Sequence, residues 1–205
     1  MGKKYIYHYF NLKGRGETPR FLFAAAGVEY TDVRVEFADW PKVKGTTPLG
    51  TLPYLEVDGQ KIPESVAISR YLANEFGLSG KSNLDKAKVD VLVDQMIATR
   101  EALVVLKNEK DEAKKVELTK KFNEEQIPKC YGYIDKTLSS NSSGFLVGDQ
   151  LTWADLALID LDAMLGNFGN AVNLDKFTKV ATHRKKVEAL PRISKYLKNR
   201  IVTPY

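Results

Sequence analysis

The sequence predicts an α/β half followed by an all-α half: a β-α-β-β-β-α domain over residues 1–80 and a helical bundle domain over residues 81–205. Three observations carry this. Up to Gly77, short aromatic or β-branched runs alternate with helical stretches. Leu78–Asn83 is rich in Gly and Ser and reads as a linker. From about Leu84 onward, apolar residues recur at helical spacing and no credible strand is left.

Each element has its own warrant. Tyr5–Phe10 is aromatic and β-branched, a strand. Gly14–Gly16 is a turn, and Pro19–Ala26 is an apolar helix stopped by Gly27. Tyr30–Phe37 sets Val33 and Val35 against Asp32, Arg34 and Glu36, the alternation of a half-buried strand. Leu52–Val57 is a third strand, Asp58-Gly59 a two-residue hairpin turn, and Gln60–Ile62 the returning strand. Ser65 opens a helix that ends near Gly77. Beyond the linker, helices are expected over about 84–107, 112–139, 152–166, 183–190 and 192–200. The fullest local signal there is Leu151-Thr152-Trp153-Ala154-Asp155-Leu156. Thr152 is placed to cap the helix with Asp155 three residues on, and Leu151 and Leu156 are spaced as a hydrophobic staple.

Composition excludes several classes. The chain has 205 residues, 43% hydrophobic and 28% charged, which is a globular balance. One cysteine, Cys130, forms no internal disulfide, no CxxC pair and no cysteine-rich zinc site, and suggests a reducing compartment. Two histidines, His8 and His183, are too few for a His-rich metal site, so no metal is expected. The net charge of +5 comes mostly from the stretch after residue 175, where nine Lys/Arg face one Glu. That reads as solvated helix surface, and no RNA-binding signature or zinc finger accompanies it. No signal peptide, myristoylation motif or 18-residue apolar run is present, so neither membrane nor nucleic acid is an expected partner.

Two motifs come close and fail. Gly14-Arg15-Gly16-Glu17-Thr18-Pro19 sits where a dinucleotide fingerprint would, but Pro19 replaces the third glycine. Gly80-Lys81-Ser82 resembles the end of a phosphate loop whose first glycine would fall on Glu75. No HExxH and no GxSxG occurs.

The segments that remain run in a consistent order. They are Tyr9-Phe10-Asn11, Gly14-Arg15-Gly16-Glu17, Ala38-Asp39-Trp40-Pro41 with Lys44, and Thr47 to Pro53. Glu64-Ser65-Val66-Ala67-Ile68-Ser69-Arg70-Tyr71-Leu72 follows, then Ser143 to Asp149 and Leu151 to Asp155. Taken together they resemble a cytosolic glutathione S-transferase of the sigma class, related to the glutathione-dependent prostaglandin D synthases. The resemblance covers essentially the whole chain and makes the first half a thioredoxin-like domain.

The resemblance implies a site. The nucleophile would be the thiolate of glutathione, brought in as co-substrate. Tyr9 would donate its hydroxyl proton to the sulfur, a contact of a kind worth roughly 2.7–4 kcal/mol in catalysis. Arg15 would lie near the thiolate and the electrophile. Trp40 and Lys44 match positions that hold the glycine carboxylate. Gly50, Thr51, Leu52 and Pro53 match the stretch whose Leu-Pro bond is cis in the family, with the Leu52 backbone pairing with the cysteinyl unit. Ser65 would meet the γ-glutamyl carboxylate, or act as a plain helix cap. The electrophile would dock in an apolar cleft between the domains, lined by Phe10, Arg15, Leu103, Val105 and Leu106.

The chain also departs from the pattern. Glu64 stands where Gln is usual, and is expected to bind the γ-glutamyl ammonium. Around Asp94, the positions Ile97 and Ala98 are apolar where some members are acidic, and Val105 and Ala157 replace the aromatics of the prostaglandin branch. The expectation is therefore a cytoplasmic homodimer that conjugates glutathione to hydrophobic electrophiles, with hydroperoxide reduction as a further activity. The alternatives are a glutathione-dependent prostaglandin H2 D-isomerase and a non-catalytic, crystallin-like member.

Overall fold

A computed structural model describes residues 2–167 and 174–203. The chain divides into two compact units, Met1–Ser79 with Leu190–Tyr205, and Gly80–Ala189. In this division the C-terminal helix groups with the first unit. Its side chains pair with the first helix of the chain, a partnership that periodicity alone does not encode.

The first unit is a four-stranded sheet of order β2-β1-β3-β4, with β1 at Tyr5–Phe10, β2 at Thr31–Val35, β3 at Tyr54–Val57 and β4 at Gln60–Pro63. β1 runs parallel to β2 and antiparallel to β3, and β3 is antiparallel to β4. Helix α1 (Glu17–Ala26) makes the crossover that a parallel pair requires. Its end is closed by Gly27 at φ 69°, whose N–H reaches the carbonyls of Phe23 and Ala24. Tyr5, Tyr7 and Tyr9 alternate inward along β1 and join a core with Phe21, Leu22, Phe23, Leu55, Ile68 and Leu72. Asp58 and Gly59 both take positive φ, 48° and 87°, as the tight hairpin needs. The third strand starts at Tyr54 rather than Leu52, and the Leu52-Pro53 bond before it is cis. Helix α2 is short (Trp40–Val43) and α3 covers Ser65–Glu75. The closing helix of this unit, α9, covers Pro191–Asn199.

The second unit is helical among its described residues. Its α4 (Asn83–Asn108) opens on a capping box: Ser82 Oγ accepts from the Asp85 N–H at 3.1 Å, and the Asp85 carboxylate accepts from the Ser82 N–H at 3.0 Å. Val89, Leu92, Val93, Met96, Leu103 and Leu106 form its buried face. The expected helix over 112–139 is continuous in course but not in kind. Helix α5 (Glu112–Lys121) and α6 (Ile127–Ser139) are joined by a π-helical turn at Phe122–Gln126. Pro128 explains it: without an N–H, and with its ring against the carbonyl four residues back, it opens the register, and Ile127 N–H bonds Phe122 O instead. Helix α7 (Trp153–Asn167) is buried along most of its length, and α8 (Thr178–Glu188) follows.

Asp155 anchors α7. Its fully buried carboxylate accepts from the N–H of Leu146 at 2.8 Å, the N–H of Thr152 at 2.7 Å and the Thr152 hydroxyl at 2.8 Å. It also meets His183 Nε2 at 2.7 Å. The capping signal seen in the sequence is thus half of a larger network whose other members come from a loop and from α8.

Candidate active site

The strand register brings the expected residues to one end of the sheet. His8 pairs with Tyr54, which sets Pro53 level with Tyr9; Tyr54 pairs with Pro63, which sets Glu64 next along. The C-terminal end of β1, the cis Leu52-Pro53 bond and the start of α3 therefore succeed one another along that edge.

Tyr9 is 7% exposed, and its ring lies against the Gly14-Arg15-Gly16 turn. The backbone N–H of Arg15 donates to the Tyr9 hydroxyl oxygen at 3.2 Å. In this contact the hydroxyl oxygen is the acceptor, and the bond fixes its position beside the turn. The two glycines have a steric reason. A Cβ at Gly16 would stand 2.1 Å from Tyr9 Cδ1, and one at Gly14 would stand 2.9 Å from Tyr9 Oη. Gly16→Ala is therefore expected to cost about 1–3 kcal/mol and to displace the tyrosine, lowering Tm and turnover together. Gly132→Ala in α6, where nothing lies within 4 Å of a new Cβ, is the control and should be neutral or stabilising by at most about 1 kcal/mol. Equal behaviour of the two variants would refute the steric account.

The other expected residues fall as follows. Arg15 is exposed at the turn. Phe10 is half-buried, stacks on Phe37 at 4.8 Å and meets the edge of Trp40 at 5.2 Å. Trp40 opens α2, and Lys44 is exposed just after it. Gly50 needs its φ of 67°, and a Cβ there would touch Lys44 Cε at 3.8 Å, so the Lys44 and Gly50 segments run side by side. Thr51 is exposed and Leu52 half-buried ahead of buried Pro53. Glu64 is an exposed residue at φ 72° and ψ 116°, a backbone conformation that residues other than glycine rarely hold and that occurs mostly at functional sites. Ser65 is the first residue of α3, not its cap: the position before the helix belongs to Glu64, which makes no side-chain capping bond. That removes plain capping as the account of Ser65. In the second unit, Leu103 and Leu106 are buried, whereas Val105 is 58% exposed.

Some of the surroundings of Tyr9 were not legible as a site. Glu17 and Arg20 are both buried, and the Arg20 guanidinium sits 5.8 Å from the centre of the Tyr9 ring and 5.7 Å from that of Tyr7. Arg20 also donates to Leu12 O at 2.7 Å and to Asp32 at 3.1 Å. The available signal was a Glu and an Arg three residues apart inside an apolar helix, where charges are rarely placed without partners. On the opposite face of β1, His8 stacks on Tyr54 at 4.2 Å, and burial lowers its pKa despite Glu56 at 3.1 Å. No group of three or more metal-ligating side chains occurs among the described residues.

Comparison with known proteins now identifies the lineage. A family model described as "Glutathione S-transferase, N-terminal domain" matches residues 6–74, and one described as "Glutathione S-transferase, C-terminal domain" matches residues 98–200. The chain belongs to the glutathione S-transferase family. Its relatives include the S-crystallin SL11 of Nototodarus sloanii, 41% identical with 98% of each chain covered. Another is a probable glutathione S-transferase of Caenorhabditis elegans, 40% identical over 96% of this chain and 97% of the relative. Among solved structures, a Nu-class glutathione S-transferase from Haemonchus contortus matches with a TM-score of 0.89 at 35% identity, with both chains fully covered. A prostaglandin synthase D of Nilaparvata lugens matches with a TM-score of 0.87 at 31% identity, over 98% of this chain and all of that one. The thioredoxin-like half followed by a helical half is the fold of this glutathione S-transferase family member, as the sequence led one to expect.

Proposed function

We propose that this protein is a sigma-like glutathione transferase in which Tyr9 holds the bound thiol as its anion. The observation that carries the reading is the Tyr9 hydroxyl, aimed by the Arg15 N–H and seated against two glycines at the sheet end that also holds cis-Pro53 and Ser65. The Tyr9 proton donates to the sulfur and lowers the thiol pKa, so that more of the nucleophile is present at neutral pH. The Leu52 backbone pairs with the cysteinyl unit as an added strand, Trp40 and Lys44 take the glycine carboxylate, and the α3 N–H groups with Ser65 take the γ-glutamyl carboxylate. The thiolate then attacks an electrophilic carbon and expels the leaving group, or attacks a hydroperoxide oxygen, breaking the O–O bond and releasing the alcohol. In the second case another glutathione thiol converts the resulting sulfenic acid to glutathione disulfide and water. Phe10 and Arg15 are proposed to contact the electrophile. A homodimer in the cytoplasm is the proposed working state.

Glu64 is proposed to bind the γ-glutamyl ammonium. Its carboxylate is exposed, and its backbone is held in a conformation that ordinary packing does not reward. Glu64→Gln should raise the glutathione KM by about two- to fivefold, the scale of one lost exposed charge contact, with kcat unchanged. A KM equal to wild type would remove this role.

The S-crystallin relative favours one rival, a binding or structural protein. The two readings separate in a conjugation assay over halonitroarenes, alkenals and hydroperoxides. Turnover that falls in Tyr9→Phe supports the enzyme. Retention on glutathione resin with no turnover supports the rival.

A further inference from the structure

Helix α9 meets α1 at both ends. At the C-terminal end of α1, Arg192 Nη1 donates to the carbonyls of Ala25 at 3.0 Å and Ala26 at 2.7 Å, a cation placed where the helix dipole favours it. At the other end, Glu17 Oε1 accepts from the Tyr196 hydroxyl and from Arg200 Nη1, each at 2.9 Å. Between them, the Tyr196 ring packs edge-on against Phe21 at 5.1 Å. Glu17 immediately follows Gly16, and its other oxygen lies 3.4 Å from Arg20 Nη1. Arg20 in turn holds Leu12 O and lies under the Tyr9 ring. The charged and titratable groups around this chain are Arg20 on α1, Tyr30, Asp32 and Arg34 on and before β2, and Tyr196 and Arg200 on α9. Burial, with the Glu17 charge beside it, pushes the Tyr196 hydroxyl well above the usual phenol range, so it serves as a standing donor.

We propose that Glu17 and Arg200 are positioning residues for Tyr9: the C-terminal helix clamps α1 and so fixes the 12–17 turn whose Arg15 N–H aims the hydroxyl. A buried carboxylate held from three sides ties that turn to α9 more firmly than loop packing would. The inference rests on the reading of Tyr9 as the thiolate donor. Displacing the turn would loosen the hydroxyl from the sulfur without touching the glutathione carboxylate contacts. The effect belongs on thiol ionisation and turnover, not on glutathione affinity.

The test is the pH dependence of kcat/KM for the electrophile at saturating glutathione, measured with the full chain for wild type, Arg200→Met, Arg200→Lys and Tyr9→Phe. Arg200→Met should lose about tenfold at neutral pH and move its ionisation midpoint to higher pH by up to about one unit, well inside the hundredfold that a misplacement of about 1 Å costs. Arg200→Lys should recover most of the loss. If Arg200→Met folds poorly, Tyr196→Phe, which deletes one hydroxyl, should show a smaller shift in the same direction. A midpoint unchanged in both variants, whatever their Tm, overturns the proposal, because a purely structural role lowers the folded fraction without moving the ionisation. A Tyr9→Phe profile equal to wild type overturns the reading of Tyr9 itself. Impaired Tyr9→Phe beside unshifted Arg200→Met and Tyr196→Phe overturns only the clamp.

Discussion

Tyr9→Phe should fold like wild type and lose about 10²–10³ in kcat, the usual consequence of removing one donor aimed at a catalytic anion. The fold tolerates the change because the ring keeps its seat against Gly14 and Gly16. Among what disappears is the bond from the Arg15 N–H, of a kind worth about 0.5–1.5 kcal/mol of stability. The kinetic loss should depend on pH in a defined direction. Wild type supplies the anion by hydrogen bonding; the variant must wait for solvent to remove the proton. Its rate should therefore climb with pH beyond the point where wild type has levelled, and the two should converge at alkaline pH. The glutathione KM should change little, since the carboxylate and backbone contacts proposed for the rest of the tripeptide remain. Steady-state rates across pH with a halonitroarene check this, and a variant as active as wild type at neutral pH would show that the hydroxyl is a bystander.

The largest stability effect is expected at Asp155. Removing its carboxylate in Asp155→Ala orphans the Leu146 and Thr152 N–H groups, the Thr152 hydroxyl and His183 Nε2 together. His183 Nδ1 already lacks a hydrogen-bond partner, so the ring would be buried with both nitrogens unsatisfied. Orphaning one buried donor costs about 1–3 kcal/mol, so losing several such bonds at once is expected to cost at least about 3 kcal/mol. For a chain of this size that is a fall in Tm of at least about 6 °C. Asp155→Asn, which keeps one acceptor oxygen, should lie between. A Tm within about 2 °C of wild type for Asp155→Ala would mean that water or a rearranged loop replaces the carboxylate.

Legibility varied with how local the cause was. The strand Tyr5–Phe10, the Asp58-Gly59 turn and the Gly27 stop depend on neighbours in sequence, and each appears where its pattern puts it. The Thr152–Asp155 cap was readable for the same reason, but its extension to Leu146 and His183 was not, because those partners arrive through the tertiary fold. The helix over 112–139 concealed a π turn because periodicity registers the apolar face and not the missing N–H of Pro128. The candidate site was legible as a list of residues. Its order along one sheet end came from the strand pairing, the reason for Gly14 and Gly16 from the Tyr9 ring, and the partnership of Glu17 with Arg200 from residues 183 apart. Leu103 and Leu106 illustrate the converse: their spacing fits a cleft face and a core face equally, and both side chains are buried.

The central claim is that this chain, which carries one buried cysteine, works on a sulfur it receives and holds as an anion through Tyr9. The measurement that tests it is the ionisation of the glutathione thiol in the binary complex, followed by thiolate ultraviolet absorbance across pH for wild type and Tyr9→Phe. The account predicts a bound thiol in wild type that titrates well below about 8.5, the ordinary cysteine value, and one in Tyr9→Phe that returns towards it. The same thiol pKa in both proteins would contradict the account.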